Sequence, residues 1–230
     1  MNFKTSTQEN RKGFLFDILL YIAIMFLIRE VYFPKLHFIA NGLFWSFTTL
    51  IVATWRMKVR NISWQDLGLK KPKNIYITLL VTIGILVAIP ILIIIFKQIQ
   101  NILPFQLAPD TSSEQAISKF GDLKNNWGHF FTIIPFILIQ SALEELLDRG
   151  FLITWFERIF SKTSFATAIA VLLQALIFGF RHSYDISERS ISVALIGLVM
   201  GIAYVKFGRN LWPLIIAHCI LNTASMLSKV

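Results

Sequence analysis

Two adjacent glutamates, Glu144 and Glu145, lie in the apolar run Phe136-Ile-Leu-Ile-Gln-Ser-Ala-Leu-Glu-Glu-Leu-Leu-Asp-Arg-Gly150, and Arg149 follows the second by four positions. An ionised carboxylate in hydrocarbon surroundings is costly, so acids there are rare and mark function. Two later apolar segments each bring a histidine, His182 and His218, and Asn222 follows His218 by four positions. A desolvated carboxylate can take a proton from water. Imidazole and carboxamide donors can stabilise a developing oxyanion. The chemistry these residue types suggest is hydrolysis by activated water inside an apolar helical frame.

On an α-helix, Glu145 and Arg149 are neighbours and can pair, whereas Glu144 is turned by about 100° and faces elsewhere. Arg149 then neutralises one carboxylate and leaves Glu144 free to act. Asp148, one turn from Glu144, either adds a like charge beside it or pairs with Arg149. An ion-pair network that only locks helices together is the structural alternative. Phe178 and His182 share a face at the end of the fifth segment, and Asp185, which follows closely, either orients the imidazole or simply lies in the loop. His218 and Asn222 also share a face. That pair suits an interhelical hydrogen bond, an oxyanion site, or a metal site formed with His182 and a glutamate.

These residues need apolar helices to carry them, and the composition supplies them. The 230-residue chain is 55% hydrophobic and only 15% charged, well below the roughly 25% charged residues of soluble domains. Seven hydrophobic segments can be drawn, at roughly 13–32, 37–55, 75–96, 128–157, 164–181, 190–206 and 211–228. An eighth, re-entrant piece is an option. The predicted fold class is therefore all-α: a polytopic transmembrane helical bundle forming one membrane domain over 1–230, with the motif-bearing core at 128–228. The first segment is too long for a signal-peptide core and reads as a retained span. The single cysteine, Cys219, excludes an intrachain disulfide and suits packing.

The net charge of +9 does not indicate nucleic acid, because Lys and Arg sit in short connections between apolar runs. Arg56, Lys58, Arg60, Lys70, Lys71 and Lys73 crowd the connection after span two. This bias predicts a cytoplasmic N-terminus by the positive-inside rule. A composition rich in Lys, Asn, Ile and Phe suggests a bacterial cell membrane. If span four ends near 160 and span five begins near 164, Glu144 and His182 lie about 24 and 27 Å from their shared connection, at one level. His218 lies nearer the start of its own span, so that helix must tilt or begin deeper. The connection 97–127 is long enough for a lid or surface helix.

Three short patterns now stand in order: Glu144-Glu145-Leu-Leu-Asp-Arg149, Phe178-Gly-Phe-Arg-His182 and His218-Cys-Ile-Leu-Asn222. They resemble the Glu-Glu-x-x-x-Arg, Phe-x-x-x-His and His-x-x-x-Asn/Asp motifs of the CPBP family (CAAX proteases and bacteriocin-processing enzymes, also called Abi). The stretch Asp66-Leu-Gly-Leu-Lys-Lys resembles that family's loop before the core. Asp148 departs from the pattern, at a position where an apolar or aromatic residue is expected.

The resemblance implies an intramembrane endopeptidase acting on a membrane-associated peptide or protein. It implies Glu144 as general base, His182 helping to hold the water, and His218 with Asn222 at the oxyanion. Glu145, Arg149 and Phe178 would support them. No cofactor is expected. Zinc, held if present by Glu144, His182 and His218, is the alternative, although the His-Glu-x-x-His signature is absent. Expected partners are membrane lipid and the peptide or protein substrate, with no nucleic acid. The rival functions are a non-catalytic membrane immunity or adaptor protein using the same cavity, and a small transporter with a proton relay.

Overall fold

The structure is a computed structural model, and it describes residues 3–100, 102, 106–109 and 119–230, with side chains from residue 11 onward. The expectation of a lid over 97–127 falls largely on residues outside this set. Among the described residues the regular structure is helical, with one isolated bridge between Ala108 and Ser187.

Helices α1 (Phe3–Leu27), α2 (Phe38–Val59) and α3 (Ile75–Gln100) form the first half. A long rod follows. It starts as α4 (Trp127–Glu144), passes through a π-helical segment at Glu145–Leu152 and ends as α5 (Ile153–Ile159). Helices α6 (Ala166–Ser183), α7 (Glu188–Lys206) and α8 (Trp212–Leu227) complete the bundle. Five of these, α2, α3, the α4–α5 rod, α6 and α7, are long and apolar enough to cross a membrane. Together with α1 and the shorter apolar α8 they occupy the seven expected segments.

The rod sits at the centre. It packs against α1, α2, α6 and α8, while α3 lies outside on α7 and α8. Ile77, Leu80, Ile83, Val87, Ile91 and Ile94 of α3 are exposed, as a lipid-facing helix requires. Helix α6 meets α7 closely at Gly179, where a Cβ would collide with the Ser190 carbonyl oxygen and lie 2.6 Å from Ala194 Cβ. Small residues permit such approaches, which replace the hydrophobic effect as the source of helix association in lipid.

Helix α8 begins inside the packed bundle. Leu211 is fully buried and its N–H donates to the Gly68 carbonyl, while Tyr204 Oη donates to the Leu67 carbonyl at 2.8 Å. The 63–69 loop therefore reaches into the bundle beneath α8. Gly68 makes this possible with φ +99, a left-handed conformation that suits glycine.

Two of the basic residues read as topology signals turn inward instead. Asp17 on α1 is fully buried and accepts from Arg56 Nε at 2.7 Å, Arg60 Nε at 2.8 Å and Trp155 Nε1 at 3.2 Å. One carboxylate thus ties α1, α2 and α5 together.

Candidate active site

Helix α4 reaches the site through a polar stripe in an apolar helix. Gln140 and Glu144 are one turn apart and line one cavity; Ser141 is buried beside them. Directly after Glu144 the backbone widens into the π segment. Such insertions are frequent at functional sites. All of residues 147–152 are buried there, together with Glu145. Six consecutive residues turn through every face of a helix, so this stretch of the rod is enclosed on all sides.

The adjacent glutamates part company. Glu145 is fully buried, accepts from His218 Nδ1 at 2.7 Å and pairs with Arg149 Nη1 at 3.1 Å. Glu144 faces the cavity with its side chain 14% exposed, and its Oε2 lies 4.0 Å from His182 Nε2 and 3.8 Å from His218 Nε2. His182 Nδ1 sits 2.7 Å from the Phe178 carbonyl oxygen, which can only accept. Nδ1 therefore carries the proton, and in the neutral ring Nε2 presents a lone pair toward Glu144. Asn222 Nδ2 donates to Ser141 Oγ at 2.8 Å, and Ser141 donates to the Ile137 carbonyl.

Phe178 is the hub of this arrangement. Its buried ring meets the His182 ring edge-on at 4.5 Å and the His218 ring at 6.4 Å. The Arg149 guanidinium carbon lies 4.2 Å from the same ring's centroid. A desolvated cation over an aromatic face gains about 2 kcal/mol, which helps a fully buried arginine tolerate its position.

The cavity has a volume of about 290 Å³ and opens at the end of the bundle holding the α1–α2 connection and the C-termini of α6 and α8. Glu144, His182, His218 and Asn222 all line it, so the four residues with proposed roles in the motifs converge on one space. Glu145, Arg149 and Phe178 stand behind them. Among the described residues, no group of three His, Cys, Asp or Glu is arranged to hold a metal ion.

Two sequence expectations are corrected. Asp185 does not orient His182. It accepts from Ser187 Oγ at 2.6 Å and Ser190 Oγ at 3.1 Å, closing the turn into α7, because the imidazole already has the Phe178 carbonyl one helical turn back. These hydroxyls hold the Asp185 carboxyl below the usual carboxylate range. Asp148 pairs with Arg181, not Arg149, at 2.8 Å. Asp148 faces α6, where the residue preceding His182 meets it. Gln140, Ser141 and Arg181 were missed by motif reading. The periodic polar positions 140, 141, 144 and 145 in an apolar run were the available signal for the first two.

An all-α membrane bundle whose carboxylates and imidazoles gather in one cleft defines the class of protein. Residues 126–224 match the family described as Rce1-like, type II CAAX prenyl endopeptidase Rce1-like. The motif-bearing part of this chain is thus similar to the CPBP/CAAX protease family, a family of peptidases. No curated protein and no solved structure matches the chain.

Proposed function

We propose that this protein hydrolyses a peptide bond in a membrane-associated peptide or protein, with Glu144 as general base and no metal. The reading rests above all on Glu144 Oε2 standing 4.0 and 3.8 Å from two imidazole Nε2 atoms. These gaps exceed a direct hydrogen bond and suit a small molecule held between the groups.

In this mechanism one water donates to Glu144 Oε2 and to the His182 Nε2 lone pair. Its oxygen attacks the scissile carbonyl carbon as its proton passes to Glu144. The tetrahedral oxyanion is met by the His218 ring, in its protonated form, and by the Asn222 amide. The C–N bond then breaks, and the proton on Glu144 passes to the departing amine. Glu145 fixes the His218 ring through Nδ1 and so sets which nitrogen faces the cleft, the usual role of a carboxylate behind a histidine. Arg149 and Phe178 hold Glu145 and the two rings in place. With the N-terminus in the cytoplasm, the cavity mouth opens on the opposite face, in what we take to be a bacterial cell membrane.

The test is cleavage of a quenched peptide library by purified protein in liposomes, with and without a zinc chelator. Wild type should cleave, chelator should leave the rate unchanged, and Glu144→Gln should lower kcat by about 10²–10⁴-fold, the usual worth of a general base. Chelator-sensitive cleavage would replace the metal-free mechanism by a zinc one. Cleavage by Glu144→Gln at the wild-type rate would remove Glu144 from the chemistry.

A further inference from the structure

Two carboxylates and two guanidinium groups surround the Phe178 ring. Glu145 takes Arg149 at 3.1 Å, and Asp148 takes Arg181 at 2.8 Å. Both carboxylates come from the π segment and both are fully buried. The guanidinium carbons lie 4.2 Å (Arg149) and 5.6 Å (Arg181) from the ring centroid. The first pair belongs to the Glu-Glu-x-x-x-Arg pattern. The second occupies variable positions of two motifs, and is a feature of this chain's own residues.

The second pair is one-sided. Asp148 is enclosed behind it, whereas Arg181 is 10% exposed and lines the same cavity as Glu144 and His182. Among the described residues, Arg181 Nη1 has the Met25 sulfur as its acceptor, at 3.6 Å, and a thioether is a weak one. The guanidinium therefore retains donors for a stronger partner. Glu144 lines the same cavity and its ion-pair contacts are the two longer ones to histidine, so it is the carboxylate that a released Arg181 would turn to. An arginine closed on Glu144 in a two-point pair would occupy the lone pairs that water needs. A buried guanidinium also does not stay unpaired, because an uncompensated charge is expensive there.

We propose that Asp148 and Arg181 form a positioning pair, in which Asp148 holds the Arg181 guanidinium away from Glu144 and keeps that carboxylate available to the attacking water. This rests on the peptidase reading above. It explains how the chain carries a third acid beside two catalytic-motif glutamates. The negative charge of Asp148 is matched by the positive charge of Arg181.

The consequence is an asymmetric mutant cycle, read as kcat and KM on folded, monodisperse protein in liposomes. Asp148→Asn frees Arg181 and should lower kcat by about 100-fold, with KM within about threefold, as loss of a general base does. Arg181→Met removes the competing cation and should keep kcat within about tenfold of wild type. Adding Arg181→Met to Asp148→Asn should restore at least about tenfold of the lost kcat, a coupling expected of groups in contact. A double variant no faster than Asp148→Asn overturns the proposal. So does Asp148→Asn cleaving within about threefold of wild type while Glu144→Gln is inert. Should Asp148→Asn yield no folded protein, Arg181→Met decides alone: loss of kcat at normal KM and normal unfolding temperature shows that Arg181 is required directly and overturns the proposal. Cleavage by Glu144→Gln at the wild-type rate instead overturns the peptidase reading, and this inference with it.

Discussion

Neighbouring glutamates with different surroundings should fail in different ways. Glu145 is fully enclosed, bonded to His218 at 2.7 Å and paired with a fully buried Arg149 at 3.1 Å. Glu145→Gln leaves that guanidinium without its countercharge. Breaking a buried pair by removing one partner costs about 3–5 kcal/mol. At about 2–4 °C per kcal/mol for a chain of this size, the unfolding temperature should fall by about 6–20 °C. Glu144 is a contrasting case: it faces the cavity and touches its histidines only at 3.8–4.0 Å. Its amide isostere removes no short contact, so stability should change by less than about 1 kcal/mol, a shift of at most a few degrees. Activity should reverse that order, with the larger kcat loss in Glu144→Gln. Intrinsic tryptophan fluorescence during thermal unfolding in detergent, run beside the cleavage assay, measures both. Equal shifts in unfolding temperature for the two variants would refute the division of labour argued here.

Two further outcomes follow from the structure. Gly179→Ala places a Cβ against the Ser190 carbonyl and 2.6 Å from Ala194 Cβ, so α6 and α7 must separate; overpacking of this kind costs about 1–3 kcal/mol, seen as a lower unfolding temperature. An unchanged unfolding temperature would show that the α6–α7 contact is looser than described. Asp185 is held below its usual range by the hydroxyls of Ser187 and Ser190, so it stabilises the turn into α7 in its charged form. For a depressed carboxyl that contribution is complete above the unfolded value, near 3.9, and is lost as pH falls through the lower folded value. Hydrogen exchange at residues 184–190 should therefore stay slow down to the ordinary carboxylate range and quicken below it. The dependence should vanish in Asp185→Asn, and its persistence there would assign it to another group.

Much of the site was legible because its signals are local. Glu144, Glu145, His182, His218 and Asn222 stand out as polar groups in apolar runs, where each needs a reason to exist. Their i,i+4 spacing in an assumed α-helix correctly paired Glu145 with Arg149 and set Phe178 beside His182. That spacing also set Asp148 beside Glu144, and both acids do face the end of α6, but it could not name Arg181 as the partner. Arg181 was unreadable for a related reason. Its partner lies on another helix, and nothing near it in sequence distinguishes a charge that turns inward from one that meets a headgroup.

By itself, then, the sequence determined the membrane bundle, its seven apolar segments and the residues able to do chemistry, since hydrocarbon forces backbone groups into helices and penalises every buried charge. Tertiary structure decided the pairings. It turned Glu145 toward His218 and Glu144 toward the cavity, gave Asp148 to Arg181, and drew Arg56 and Arg60 in to Asp17. It also seated the start of α8, at Leu211, on the 63–69 loop. A buried charge must find a partner, but which partner it finds depends on how the helices pack.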